Sequence, residues 1–156
     1  MASPASVARH PIHPMLVVFP IGLWGFSLVA DVVHAFGGAP VWRDVAFYTM
    51  AGGIVGAILA AIPGFVDYLG LRDPRARRLA QMHMVMNLIV LAIFAVDLWL
   101  RTWIAPESRL PLALSVIGVA LLGISGWLGG EMVYVLGVGV DAERTPARGK
   151  DRVRAA

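Results

Sequence analysis

Apolar residues dominate four long stretches of this chain, at about 15–36, 45–69, 79–103 and 112–136. Each reaches the roughly 20 residues that a helix needs to cross a bilayer. Short polar or helix-breaking segments separate them. Gly37-Gly38-Ala39-Pro40 ends the first run. A turn with Asp73-Pro74 and Arg72, Arg75, Arg77 and Arg78 ends the second, and Ala105-Pro106-Glu107-Ser108 ends the third. Connections this short force antiparallel neighbours. The pattern therefore predicts an all-α membrane fold, a four-span up-down-up-down bundle over residues 1–140. Residues 1–8 are small, weakly polar and expected to fray. Residues 141–156 are charged and free of aromatics, and read as a basic disordered tail. The first run exceeds the roughly 7–15 apolar residues of a signal peptide. Leu28 also stands where a cleavage site ending at Ala30 wants a small residue, so a retained helix is expected.

Charge orients the bundle. Four spans put both termini on one side. Ten of the thirteen Lys and Arg residues fall there, leaving Arg43, Arg101 and Arg109 opposite. The positive-inside rule then places both termini in the cytoplasm. Composition agrees: 58% of residues are hydrophobic and 15% charged, against about 25% charged in soluble domains. With no cysteine, disulfides and thiolate metal sites are excluded. The net charge of +3 flanks apolar spans, so it marks membrane orientation and not nucleic-acid binding.

Small residues recur at helical spacing. Gly52, Gly56, Ala60 and Gly64 form one stripe on the second span, and Gly126 and Gly130 share a face on the fourth. Such stripes let helices approach closely in lipid; a seat for a flat cofactor or a second copy of the chain is the alternative. A faint internal echo also runs through the chain. Each half reads histidine, long helix, turn, glycine-rich helix, then glycine, acid, tyrosine and glycine.

The topology gathers polar residues at the end of the bundle that carries the termini. His10, His13, Asp67, Tyr68, Gln81, His83, Asn87, Glu131 and Tyr134 all belong there. Ionisable groups in a span are costly and mark function by default. Pro14 suits a first helical position, making His13 the expected N-cap. The helix dipole there favours neutral imidazole, the form that ligates metals. His83 and Asn87, four apart, share a helix face. Asp67 and Glu131 stand near helix C-termini, which repel anions. Nearby arginines, a bound cation or a histidine N–H would offset that. Pro63-Gly64 is expected to kink the second span. Candidate cofactor ligands are thus His13, His83 and His10. A divalent metal would add Asp67 and Glu131, with Asn87, Tyr68 and Tyr134 in support. Met82, Met84 and Met86 read as packing side chains.

At the other end, Asp31 with His34, Asp97 with Arg101, and Arg43 read as ion pairs of the outer rim. The middle of each span lacks titratable residues, which argues against a transmembrane proton path. No phosphate loop, nucleophile elbow, zinc-protease motif or dinucleotide fingerprint is present, so enzymatic catalysis is the least supported reading.

His10-Pro11-x-His13-Pro14, then Val18-Phe19-Pro20-x-Gly22-Leu23, Pro63-Gly64-x-x-Asp67, His83 with Asn87, and Gly129-Gly130 leading to Tyr134 and Gly137-Val138-Gly139-Val140 carry a resemblance. Over residues 9–140 the chain resembles a widespread bacterial family of uncharacterised four-helix membrane proteins. That resemblance implies electron-transfer neighbours, since relatives are fused to Rieske-type or cytochrome c-type domains. Relatives often carry a histidine where this chain has Leu136, so a bis-histidine site here would have to use His13 and His83. The expected function is a redox-associated membrane subunit binding b-type haem or a divalent metal. Its partners are the lipid bilayer and either a redox protein or a second copy. The alternatives are a structural or assembly subunit and, more weakly, a small-solute or proton channel.

Overall fold

The computed structural model describes residues 3–105 and 108–140. The tail expected at 141–156 lies outside them. Four helical spans are present: Ile12–Ala35, Val41–Gly70, Pro74–Leu100 and Leu110–Val135. The fold class expected from the apolar pattern is therefore the one observed.

A small hairpin precedes the spans. Strand β1 (Ser6–Val7) pairs antiparallel with β2 (His10–Pro11) through a turn at Ala8 and Arg9, both with positive φ. Residues 3–8 are thus folded, which corrects the expectation of a frayed end. Their amides find partners: Ile12 N donates to the Ala5 carbonyl at 3.0 Å.

The first span is built from α1 (Ile12–Leu16) and α2 (Val18–Ala35). Pro20 has no N–H for the Leu16 carbonyl, which fits a break between them at Val17. The helix starts at Ile12 behind an extended Pro11, so His13 lies in its first turn and is not the N-cap. Helix α3 (Val41–Gly70) runs unbroken through Pro63. Helix α4 (Pro74–Leu100) starts five residues earlier than the apolar pattern indicates. The Asp-Pro pair that reads as a turn is instead a cap and a first helical residue. Asp73 accepts from Arg75 N at 2.7 Å and Ala76 N at 3.2 Å. Three of the four arginines assigned to the loop therefore sit on helix. Helix α5 (Leu110–Gly130) continues into a π-helical turn, Glu131–Val135.

The two halves match. Residues 70 apart on the first and third spans face each other: His13 and His83, Trp24 and Phe94, Asp31 and Arg101. Glycines 65 apart on α3 and α5 make room for them. A Cβ at Gly53 would come within 2.5 Å of the Trp24 ring, and one at Gly118 within 2.8 Å of Phe94. Trp24 and Phe94 stack at the centre, with ring centroids 4.3 Å apart and Met50 and Val90 in the same buried cluster. The echo in the sequence thus has a counterpart in space: two helix hairpins about a pseudo-two-fold axis along the bundle, the arrangement of parallel repeats.

Helix α3 uses its small-residue stripe as a seat for the first span. Gly52 meets Leu23, Gly56 meets Phe19 and Pro20, and Gly64 meets the His13 ring. On α5 the geometry differs: nothing stands within 4 Å of a Cβ built at Gly126.

Candidate functional site

The first and last described segments lie at one end of the bundle. Gly139 packs near Pro11, and Pro4 packs on Gly70. His13 and His83 lie just inside that end, with ring centroids 6.3 Å apart and planes at 90°.

Each ring is held the same way. His13 Nδ1 lies 2.8 Å from the Ala60 carbonyl, and His83 Nδ1 lies 2.9 Å from the Ser125 carbonyl. A carbonyl only accepts, so Nδ1 carries the proton in both rings. In each case a glycine one turn later clears the ring. A Cβ at Gly64 would stand 2.8 Å from His13 Nδ1, and one at Gly129 would stand 3.3 Å from His83 Cε1. A backbone carbonyl on the second nitrogen is the usual device that orients a ligating histidine.

The pair differs at Nε2. Asn87 Nδ2 lies 2.9 Å from His83 Nε2 and also donates to the His83 carbonyl at 3.0 Å. An amide N–H can only donate, so His83 Nε2 is an acceptor and the ring is held in its neutral form. The position matching Asn87 in the first half is Val17, which donates nothing from its side chain.

The other candidates lie apart from this pair. His10 is exposed in the hairpin, its Nδ1 2.9 Å from the Ala8 carbonyl. Asp67 accepts from Ser3 Oγ at 2.6 Å and Ala5 N at 3.0 Å. Among the described residues, its hydrogen-bond partners lie in the N-terminal segment. Tyr68 accepts from Gln81 at 2.8 Å and lies beneath Arg77. Glu131 lines a small cleft with Arg75 and Arg78, and Tyr134 is 89% exposed. Among the described residues no group of three or more His, Asp or Glu side chains converges. Among the described residues the wider metal set of His10, Asp67 and Glu131 with His13 and His83 is therefore not assembled: Asp67 bonds the N-terminal segment, and Glu131 lines the cleft beside Arg75 and Arg78. Leu136 packs on the cluster of Leu71, Ala76 and Ala80.

The opposite end holds a buried ionic network. Arg101 grips Asp31 with two bonds of 2.7 Å, and its Nε reaches Asp97 at 3.1 Å. Ser115 Oγ lies 2.7 Å from Asp31 and 3.1 Å from Asp97. Asp97 is wholly buried, so this is not a rim feature. Burial works against the Arg101 charge, but the hydrogen bonds it donates to Asp31 and Asp97 outweigh that and raise its pKa above the ordinary arginine value. His34, the expected neighbour of Asp31, has a buried Nδ1 with no partner among the described residues. Sequence spacing pairs neighbours on one helix; the stronger partner comes from another span. Ser115 and the Ala60 and Ser125 carbonyls escape sequence reading altogether, and the glycines that accompany the last two are the one signal for them.

Among curated proteins and among solved structures, nothing matches this chain. Residues 9–142 match a family described as "Predicted membrane protein (DUF2231)", and the chain belongs to that family.

Proposed function

We propose that this protein is a redox-associated membrane subunit in which His13 and His83 are the two protein ligands of one b-type haem. The observation that carries the reading is the pair itself: two imidazoles across the pseudo-two-fold axis, each oriented through Nδ1 by a carbonyl, with ring centres 6.3 Å apart. With Nδ1 of each ring held by a carbonyl, Nε2 is the nitrogen each histidine would offer to a haem iron. Haem also asks the protein for only two ligands. A lone divalent metal asks for three or four, which makes it the weaker form of the same proposal. Haem would bring one-electron chemistry; the chain's residues would orient the rings and exclude water. Ligation through His83 Nε2 requires the Asn87 amide to turn away from it. The arginine distribution supports both termini in the cytoplasm, and the resemblance to a bacterial family supports a bacterial inner membrane.

Protein extracted from haem-supplied cells is expected to show a Soret band, lost in His83→Ala and in His13→Ala. A colourless, metal-free preparation overturns the proposal. Asn87 favours a second reading, in which the histidines are structural: His83 is fully bonded as it stands. In that case His13→Ala lowers recovery of the folded protein or its complex, with no spectral change.

A further inference from the structure

The end of the bundle away from His13 and His83 opens into a cavity of about 430 Å³. Its polar wall includes Asp31, His34, Arg43, Asp44, Arg101 and Arg109, with Ser108 beside them. Asp31 and Arg101 are already committed to each other and to Asp97. What remains is a set of donors. The Arg43 guanidinium makes no hydrogen bond or ion pair among the described residues, only the backbone N–H of that residue bonding the Pro40 carbonyl, and Arg109 spends one side-chain N–H on the Ala35 carbonyl at 3.1 Å. His34 keeps a buried Nδ1 without a partner among them. Asp44 is the one remaining carboxylate of that wall. The other wall is apolar, with Phe47, Ile104 and Leu112.

We infer that this cavity binds a phosphate-bearing group, with Arg43 and Arg109 as its charged donors and His34 as its buried one. Guanidinium forks match phosphate oxygens in pairs. Basic pockets between spans at the membrane surface suit headgroups, and the apolar wall gives a lipid tail somewhere to lie. Free phosphate offers the same oxygens without the tail. The inference does not depend on a cofactor at His13 and His83, which lie at the other end of the bundle.

The test is binding by the full chain in detergent, with two probes: a short-chain phosphatidylglycerol and inorganic phosphate. Retention is read by native mass spectrometry and thermal stabilisation. Binding of the lipid alone identifies a headgroup site; binding of both identifies a site for phosphate itself. Arg43→Gln is expected to weaken binding about ten-fold or more, the loss of one charge-assisted contact. Arg43→Lys is expected to recover part of it. Binding of neither probe by the wild-type chain, or equal binding by Arg43→Gln and Arg109→Gln, overturns the inference.

Discussion

Trp24 lies flat against Phe94, their ring planes 12° apart. The two residues occupy matching places in the two helix hairpins, and their stack marks the centre of the bundle. His13 and His83 face each other towards one end of the same axis, and Asp31 and Arg101 towards the other. Between these polar pairs the axis is filled by Trp24, Phe94, Pro20 and Val90, all buried. The two polar ends are thus separated by hydrocarbon, so each can be perturbed alone.

The stack depends on two glycines. Gly53→Ala forces a methyl to within 2.5 Å of the Trp24 ring, and Gly118→Ala to within 2.8 Å of Phe94. Each is expected to cost about 1–3 kcal/mol through overpacking. Gly126→Ala has open space and is expected to be neutral or stabilising by up to about 1 kcal/mol, from helix propensity. Thermal melts in detergent rank the three; a Gly126→Ala loss equal to that of Gly53→Ala contradicts this account.

Arg101 is the sole cation bonded to two buried carboxylates among the described residues. Arg101→Gln leaves both uncompensated and is expected to cost about 3–5 kcal/mol. Asp31→Asn leaves Arg101 paired with Asp97 and is expected to cost less. Equal losses in the two melting curves count against the network as drawn.

The glycine beside each histidine differs in tightness. A Cβ at Gly64 meets His13 Nδ1 at 2.8 Å, while one at Gly129 meets His83 Cε1 at 3.3 Å. Gly64→Ala is therefore expected to break the His13–Ala60 bond and to abolish any haem absorption. Gly129→Ala is expected to shift that absorption with smaller loss. The comparison is an absorption spectrum of each variant, with the melting temperature as a check on folding.

Asp67 clasps the segment that leads into the N-terminal hairpin, through Ser3 and the Ala5 amide. In Asp67→Ala the Ala5 amide is expected to exchange its proton about ten-fold faster or more, the loss of one hydrogen bond to a charged group. Amides at the centre of α3 serve as the reference and are expected to be unchanged. Hydrogen exchange followed by mass spectrometry resolves the two regions.

The spans and their number were legible in the sequence because bilayer crossing is decided by the length of an apolar run, a property of consecutive residues. The short connections then set the antiparallel order. Helix ends were less legible: Asp73-Pro74 has the composition of a turn, and only its bonds to Arg75 and Ala76 identify a cap. The hairpin at Ser6–Pro11 was not legible, since the segment leading into it is fastened at Ser3 and Ala5 by Asp67, some sixty residues later.

Membership of His13 and His83 in one end of the bundle followed from topology alone. Their pairing did not. Which histidine meets which carbonyl, and why Asp31 takes Arg101 in place of His34, depends on the register at which α2, α3, α4 and α5 dock. That register is set by where glycines let aromatic and imidazole rings sink between helices. The positions concerned lie 42 to 70 residues apart. Chain order carries hydropathy and charge; contacts over such separations exist only once the helices have packed.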